Sequence, residues 1–319
     1  MEISVIINTF NNDKWIERCL QSVINQSYAD FECIIVDDCS LDNTFELCNS
    51  IRQQDSRIQL FRNNNNIGCS LTRKVGYTHS SGDYILFIDG DDWLEDDFIM
   101  KMISQAKKDN VDLVYCDYYE EDGLQAKIMS QNINAKNSNQ IIAAMASYDP
   151  YLVSSLWNKL IRRDLVSQIV FPPERYGEDM YVSLQLAYYS KKHSYIPEAL
   201  YHYWVNNKDS ICNDRNKETE RRLAMYDICT KILVFLKTHF QTNIQFEPYL
   251  SIRMNKTAIR IFEYSELRRR RNAYSLYPPA IKYIFRKEIN INILIRLKYI
   301  LYFTKYHFSV FTKKVLSKS

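Results

Sequence analysis

Residues 84–93, YILFIDGDDW, combine an apolar segment with a cluster of acids. The first five residues form a mostly apolar run typical of a buried strand, and Asp89, Asp91 and Asp92 follow within four positions. Carboxylates this close repel one another, and burying them is costly unless a positive charge compensates. The acids therefore either face water at the end of a strand or hold a cation.

Apolar strands and helical segments alternate on both sides of this stretch. The predicted strands are Ile3–Asn8, Phe31–Val36, Ile58–Phe61, Tyr84–Ile88 and Leu113–Tyr118. The predicted helices between them are Lys14–Asn25, Leu41–Arg52 (capped by Ser40 or Asp42), Ser70–Ser80 and Asp96–Lys108. Apolar strands separated by helices predict an α/β fold, with a Rossmann-like, mostly parallel sheet covered by helices on both faces.

The pattern changes after this core. Gln125–Asp149 is polar and predicts a loop that leads into a helix near Ile141–Ser147, and the alternation of Ser194–Val205 predicts a strand or a hairpin. After about residue 214 the pattern is helical to the end of the sequence. We therefore predict two domains, the sheet domain at residues 1–210 and a helical C-terminal extension at residues 211–319.

Polar clusters follow the predicted strands at their carboxyl ends, where parallel sheets bind ligands. These clusters are Thr9-Phe10-Asn11, Asp37-Asp38, Asn63–Asn66 and Asp89–Asp92 with Gly90 between the acids. We expect them to line one cleft. No Gly-x-Gly-x-x-Gly follows the first strand, and no Gly-x-x-x-x-Gly-Lys occurs, so phosphate would be held by a divalent cation on carboxylates.

Asp91 and Asp92 are the predicted metal ligands. Mg²⁺ and Mn²⁺ prefer oxygen ligands and usually take one or two carboxylates, with substrate phosphates completing the shell. The alternative is a solvated turn in which Asp92 caps a helix before Trp93. His202, in YHYWVNNKDSI, is a further candidate ligand for the metal or for phosphate, and a structural role in a Tyr-rich strand is its alternative.

Further candidates lie on either side of the metal turn. Asp37 and Asp38 would accept hydrogen bonds from a base or ribose, or would cap the following helix. Arg73 would meet a nucleotide or pair with Asp38, unless it is an ordinary surface arginine. Lys208 is a candidate diphosphate contact.

Glu178 and Asp179 form the third acidic site, at the start of a predicted helix in GEDMYVSLQ. Acids in the first turn suit the helix dipole, so capping is one interpretation. A carboxylate that faces the ligand could instead remove a proton from a hydroxyl nucleophile. The spacing of the residues leaves both interpretations open.

Four segments together resemble the family 2 glycosyltransferases of bacteria, which have the GT-A fold. They are SVIINTFNNDKWIERCLQSVINQSYADFECIIVDDCSLDNT, NIGCSLTRKVGYTHSSGDYILFIDGDDW, WNKLIRRDL and GEDMYVSLQ. The resemblance extends from about Ser4 to Val205. It implies a nucleotide-sugar donor, Mn²⁺ or Mg²⁺, and inversion at the anomeric carbon.

The resemblance also implies roles for single residues. Those on the donor side are Thr9 and Phe10 flanking the base, Asp38 accepting from uracil or ribose, Arg73 near the base and Asp89 near the ribose. Those at the reaction centre are Asp91 on the metal with Asp92, and Asp179 as catalytic base with Glu178 beside it on the acceptor. Many relatives have arginine where this chain has Trp204, and Lys208 would be its substitute at the diphosphate.

The expected activity is transfer of a sugar from a nucleotide-diphosphate sugar, most commonly UDP-linked, to a hydroxyl of a glycan or lipid-linked oligosaccharide in surface polysaccharide synthesis. The alternative from another class is a catalytically silent sugar-nucleotide-binding subunit of a membrane-associated assembly. A sugar nucleotidyltransferase ranks lower, because it normally needs a glycine-rich loop after the first strand and this chain has none.

The C-terminal segment 281–319 is basic, with nine Lys or Arg against one acid, in a chain whose net charge is +3. Mixed with Ile, Leu, Phe and Tyr, these cations predict an amphipathic helix on an anionic membrane, or else helices packed on the domain with snorkelling side chains. We expect the protein to lie in the cytoplasm at the inner face of the cell membrane, with its cysteines reduced. We expect no nucleic-acid partner, and homo-oligomers are compatible with the sequence.

Overall fold

The computed structural model describes residues 1–131, 142, 154–207 and 218–239. The strands of this part are β1 Ile3–Thr9, β2 Phe31–Asp37, β3 Ile58–Arg62, β4 Tyr84–Asp89, β5 Trp93–Leu94, β6 Leu113–Glu121, β7 Ala126–Met129, β8 Lys159–Arg162 and β9 His193–Trp204. Its helices are α1 Ile16–Ile24, α2 Thr44–Arg52, α3 Cys69–His79, α4 Phe98–Asp109, α5 Arg163–Val166, α6 Glu178–Tyr189 and α7 Glu218–His239.

The strands form one sheet in the order β3-β2-β1-β4-β8-β6-β9-β5, and β7 pairs with β6. The first four strands of this order run parallel, as expected where a helix connects each strand to the next. β8 enters antiparallel between β4 and β6, and β6 runs parallel to β9. The predicted α/β fold with a Rossmann-like, mostly parallel sheet is therefore confirmed, and antiparallel strands extend it on one side.

Helices cover both faces of the sheet, as predicted, because alternate residues of each strand point to opposite sides. Ile3, Val5 and Ile7 of β1 join a core with α1, α2 and α4. Ile6 joins a second core, to which α5 and α6 contribute. Each of these isoleucines is fully buried, and such burial stabilises by about 1.5–3 kcal/mol per side chain.

The predicted start and caps of the second helix are wrong. α2 begins at Thr44, not at Leu41, and no side chain caps it. Asn11 Oδ1 instead accepts a hydrogen bond from the amide of Leu41 at 2.8 Å, and Asp42 Oδ1 accepts one from the amide of Thr44 at 3.0 Å. The hydrogen bond from Leu41 to the loop after β1 and the local one from Thr44 to Asp42 thus hold the residues before Thr44 outside the helix.

Part of the segment predicted as a loop is a strand. β7 occupies Ala126–Met129 and pairs antiparallel with the end of β6, in register from Tyr118 opposite Met129 to Glu121 opposite Ala126. Three of its four residues are exposed, so the segment lacks the apolar pattern by which a buried strand is predicted from sequence. The helix predicted within this segment lies outside the described residues, apart from helical Ile142.

The chain divides into two compact units, residues 1–145 with 149–214 and residues 146–148 with 215–319. The second unit contains α7 among the described residues, which agrees with the predicted helical pattern. No described helix is long and apolar enough to span a bilayer. Lys208 and the basic segment 281–319 lie outside the described residues, and the predicted domain boundary at residue 210 stays a prediction.

Candidate active site

The carboxyl ends of β1, β2 and β4 form one edge. Thr9 is opposite Asp37 in the pairing of β1 with β2, and Asn8 is opposite Asp89 in the pairing of β1 with β4. The clusters that follow these strands are therefore neighbours in space. The strand ends of the parallel sheet converge at these residues, as predicted.

Arg73, on α3, is the central cation of this edge and is only 2% exposed. Its Nε donates to Asn8 Oδ1 at 3.1 Å and its Nη2 donates to Asp89 Oδ1 at 2.7 Å. Its Nη1 donates to Asp179 Oδ1 at 2.5 Å. Two alternatives for Arg73 are thereby wrong, since it is not a surface arginine and its carboxylate partners do not include Asp38.

Glu178 and Asp179 begin α6, directly after Gly177 in a left-handed conformation (φ 75°). Glu178 Oε1 accepts a hydrogen bond from the Cys69 thiol at 2.8 Å and lies 3.7 Å from Arg73 Nη1. Both acids suit the dipole at the start of α6. Their side chains are nevertheless directed at α3, so the turn of α6 brings two carboxylates to the edge formed by β1 and β4.

The carboxylate of Asp179 is largely buried but remains accessible to solvent. Its side chain keeps 23% of its surface exposed. Desolvation raises its pKa to about 7; Arg73 opposes this shift, and Glu178 and Asp89 add to it. A carboxyl group whose pKa lies near neutrality suits a general base, because the unprotonated form is available and still binds a proton well.

Asp38 and Asp37 both shape the loops beside the cleft. Asp38 is buried and accepts hydrogen bonds from the amides of Ile67 and Gly68 at 2.9 and 2.8 Å. It thereby fixes the Asn-rich turn that leads into α3. Asp37 Oδ2 accepts from the amide of Ser40 at 3.1 Å, and burial raises the pKa of Asp37. Neither acid caps α2, so the capping interpretation is wrong for both.

The loop after β1 is held by its own polar side chains. Thr9 Oγ1 accepts from Asn12 Nδ2 at 3.2 Å, and the amide of Asn11 donates to Ser40 Oγ at 2.9 Å. Phe10 is half-buried. A Cβ at Gly90 would come within 2.7 Å of Thr9 Oγ1 and 2.9 Å of Asn12 Nδ2, so glycine is required there.

Asp91 and Asp92 have different environments. Asp92 is 1% exposed, and its two oxygens accept hydrogen bonds from Tyr201 Oη at 2.7 Å and the amide of Trp204 at 2.8 Å. It ties the turn to β9, and the helix-cap interpretation is wrong because Trp93 begins strand β5. Asp91 accepts through Oδ2 from Asn207 Nδ2 at 2.8 Å.

A divalent cation fits Asp91 better than Asp92. Burial and then the neighbouring Asp89 raise the pKa of Asp91 to about 6, and a cation would relieve that repulsion. Both oxygens of Asp92 already accept hydrogen bonds from the protein. Among the described residues no group of three His, Cys, Asp or Glu side chains is arranged to hold a metal ion.

His202 has a structural environment instead of the one predicted for a metal ligand. Its Nε2 lies 2.9 Å from Glu95 Oε1 and its Nδ1 lies 2.8 Å from Glu121 Oε1. Its ring stacks on Trp93 and on Tyr119, with centroids 4.8 and 4.6 Å apart. Because carboxylates engage both ring nitrogens, this arrangement argues against His202 as a ligand and corrects that assignment.

Sequence reasoning gave no role to two residues of this region. Lys159 is 1% exposed, and its Nζ donates to the carbonyl of Ser155 and to Asn158 Oδ1, the latter at 3.0 Å. Tyr201 is fully buried and donates to Asp92. Lys159 stands in the WNK segment of the resemblance, but a lysine in a short polar stretch carries no local signal of burial.

The family described as Glycosyl transferase family 2 matches the chain over residues 4–170. The chain belongs to this family. The match includes the turn with Asp89 and Asp91 as well as Lys159, and it ends before Asp179. The family and its named relatives support a glycosyltransferase enzyme.

Relatives of this family 2 member are bacterial glycosyltransferases. It is 29% identical over 234 residues to the putative glycosyltransferase EpsH of Bacillus subtilis (strain 168), which covers 70% of this chain and 67% of EpsH. It is also 29% identical over 213 residues to the glycosyltransferase GlyA of Streptococcus pneumoniae serotype 4 (strain ATCC BAA-334 / TIGR4), which covers 64% of this chain. The match spans only 30% of the length of GlyA.

The fold is also that of a solved glycosyltransferase. S. aureus TarS 1–349, in complex with UDP-GlcNAc, matches 86% of this chain and 87% of its own chain with a TM-score of 0.62 and 18% identity. At that identity the likeness shows the fold alone. It confirms the GT-A architecture expected from the sequence.

Proposed function

We propose that this chain is a metal-dependent, inverting glycosyltransferase that uses a UDP-linked or other nucleotide-diphosphate sugar. The acceptor is a hydroxyl of a glycan or lipid-linked oligosaccharide, made for the bacterial surface. The observation that carries the proposal is the bridge from Asp89 through Arg73 to Asp179. The bridge sets a carboxylate of near-neutral pKa beside the strand ends that carry the candidate metal turn. The UDP-GlcNAc complex of TarS supports the class of donor.

Asp179 acts on the acceptor in this proposal. Arg73 holds Asp179 Oδ1, which fixes the direction of the carboxylate on α6. The carboxylate takes the proton of the acceptor hydroxyl, and the oxygen attacks the anomeric carbon as the bond to the diphosphate breaks on the opposite side. One displacement of this kind inverts the configuration. Glu178 lies beside Asp179 and would hydrogen-bond the acceptor.

Asp91 would hold Mn²⁺ or Mg²⁺ while Asp92 anchors the turn to β9, and the metal would supply positive charge to the departing diphosphate. In this proposal Thr9, Phe10 and Asn11 line the base side of the donor pocket with Asp37 and Asp38. Asp38 does so partly by shaping the turn at Ile67 and Gly68. Asp89 and Gly90 lie on the ribose side, and Lys208 is proposed at the diphosphate.

The proposal is tested by donor turnover. The full chain is incubated with a panel of nucleotide-diphosphate sugars and candidate acceptors, with Mn²⁺ or with EDTA, and released nucleoside diphosphate is measured. We expect at least one donor to release nucleoside diphosphate in the presence of Mn²⁺, and we expect this release to stop when EDTA replaces the metal. Tight donor binding without release from any donor would favour the catalytically silent subunit.

Asp179 is tested separately. Asp179→Asn keeps the shape of the side chain but cannot take a proton, so we expect transfer to fall by about a thousandfold, within the range for loss of a catalytic group, with donor affinity nearly unchanged. Asp164→Asn, at an exposed acid that pairs with Arg162, is the matched control and should transfer normally. Transfer at the wild-type rate by Asp179→Asn would show that Asp179 is not the base.

A further inference from the structure

Lys159, at the start of β8, is a buried cation that the proposed mechanism does not use. Only 1% of the residue is exposed. Its Nζ donates to uncharged groups, the carbonyl of Ser155 and, at 3.0 Å, Asn158 Oδ1. Burying an amine among uncharged partners destabilises a protein, and an apolar residue of similar length would avoid that penalty. The presence of a lysine here therefore needs a reason other than packing.

The hydrogen bonds of Lys159 place it next to the helix of the candidate base. Its Nζ donates to the carbonyl of Ser155, and Ser183 Oγ shares its hydrogen between the carbonyls of Ser154 at 3.0 Å and Ser155 at 3.2 Å. Ser183 lies four residues after Asp179 on α6, which puts the two side chains on one face of the helix. The amine and Ser183, one helical turn after Asp179, thus meet at the Ser155 carbonyl.

The charges around Asp179 come from several elements. Arg73 on α3 contacts it, Glu178 precedes it, and Asp89 ends β4 on the far side of Arg73. Lys159 is the second cation that acts on Asp179, after Arg73. In the other direction, burial lowers the pKa of Lys159 to about 7, and Asp179 opposes this shift by favouring the protonated amine.

We propose that Lys159 is a positioning residue for the reaction, whose ammonium group, held at the Ser155 carbonyl beside α6, stabilises the carboxylate form of Asp179 through space. This inference rests on the proposed function, because it assigns Lys159 to the proposed base. The charge of Arg73 is shared among Asp89, Glu178 and Asp179. Lys159 adds a second positive charge, and its own hydrogen bonds go to uncharged groups.

The sign of the effect follows from the ionisation of Asp179. Lys159 and Arg73 lower its pKa against desolvation, which raises it to about 7. Removing the charge of Lys159 therefore raises the pKa of Asp179 further, and less carboxylate is present on the acid side of neutrality. Since Lys159 itself titrates near the same pH, the two groups are coupled and the profile reports both.

The experiment compares pH profiles of kcat/KM for the wild-type chain, Lys159→Met and Lys159→Arg, with a saturating metal concentration. Methionine removes the charge and keeps the length, and arginine restores the charge. We expect the acid limb of Lys159→Met to move up by about one pH unit, which lowers kcat/KM about tenfold on that limb and little on the plateau. Lys159→Arg should bring the limb back toward that of the wild type.

Lys101→Met is the matched control, because Lys101 is a surface lysine that pairs with Asp97 and Glu198. Its profile should coincide with that of the wild type. An equal loss of kcat/KM at every pH in both Lys159 variants would overturn the inference and would indicate that Lys159 acts through packing alone. An acid limb that does not move in Lys159→Met would also overturn it.

A second measurement does not require activity. Carboxyl carbon resonances of labelled aspartate are titrated by NMR, with Asp179 assigned by its absence in Asp179→Asn, in wild-type and Lys159→Met chains. An upward shift of the Asp179 titration in Lys159→Met is expected, and an unchanged titration would overturn the inference. If the wild-type chain transfers no sugar, the proposed function fails, and this titration still decides the role of Lys159.

Discussion

Asp89, Asp91 and Asp92 are neighbours in the sequence but meet different partners. Arg73 neutralises Asp89, Tyr201 and the Trp204 amide hold Asp92, and Asn207 donates to Asp91. The repulsion expected among three adjacent acids is therefore relieved unequally. Asp91 is the acid for which a cation would complete the environment.

At this scale we predict that Asp91→Ala lowers the affinity for a nucleotide-sugar donor measured with Mn²⁺ at least tenfold, since a carboxylate ligand is lost. Isothermal titration of the donor, with and without Mn²⁺, measures the effect. Asp97→Ala, at a partly exposed acid paired with Lys101, serves as control and should bind normally. Equal metal-dependent binding by Asp91→Ala and the control would remove Asp91 from the metal site.

Gly90 is a second residue whose identity is fixed by its neighbours. Gly90→Ala would press a methyl group against Thr9 and Asn12, and we expect a loss of about 1–3 kcal/mol in unfolding free energy together with weaker donor binding. Urea unfolding and donor titration measure the two effects. Gly82→Ala clashes as closely with the Ile3 and Ser4 backbone at the other end of β4. It should lower stability alone, and weaker donor binding in both variants would contradict the local explanation.

At the scale of elements, the site is assembled by one side chain. Arg73 joins α3 to β1 through Asn8, to β4 through Asp89 and to α6 through Asp179. α3 packs over β1 and β2, whereas α6 starts more than a hundred positions later in the chain. The guanidinium is thus the physical link between the donor edge of the sheet and the helix of the candidate base.

Arg73→Met should therefore destabilise the fold by about 3–5 kcal/mol near neutral pH, because it leaves buried carboxylates without their cation. The loss should be largest at alkaline pH and shrink as the pH falls through about 7, since without Arg73 the pKa of Asp179 rises above its wild-type value of about 7 and the folded variant binds the proton at a higher pH than the folded wild type does. Urea unfolding across this range measures both. Arg162→Met, at a surface arginine paired with Asp164, is the control. A loss that does not change with pH would contradict the role of Arg73 as counter-ion.

At the scale of the whole molecule, charge is distributed unevenly along the chain. The sheet domain collects acids at its ligand edge, and the basic residues concentrate in segment 281–319. An acidic cleft suits a metal and a diphosphate, and a basic amphipathic segment suits an anionic membrane surface. Such an arrangement would hold the enzyme where lipid-linked acceptors are.

We predict that the full chain floats with liposomes that contain anionic lipid and that a chain truncated after Pro279 does not. The physical reason is the loss of about 1 kcal/mol of attraction per cation near the surface. Flotation in a density gradient measures binding, and neutral liposomes or high salt should weaken that of the full chain. Equal flotation of both chains on anionic liposomes would rule out membrane binding by this segment.

The sequence alone determined the fold class and the ligand edge. Continuous apolar strands such as residues 84–88 can be satisfied only in a sheet covered on both faces, and the strand ends then meet. That local physics predicted where Thr9, Asp37, Asp89 and Asp91 lie. The family resemblance added Asp179, whose own spacing left capping and catalysis open.

Only the tertiary structure decided how these residues are partnered. Burial of Arg73, the hold of Tyr201 on Asp92 and the two carboxylates on His202 depend on contacts between residues far apart in the chain. No local pattern distinguishes a lysine such as Lys159 in the core from one at the surface. The reason is physical, because desolvation and charge pairing depend on everything that surrounds a group, whereas periodicity depends only on its neighbours along the chain.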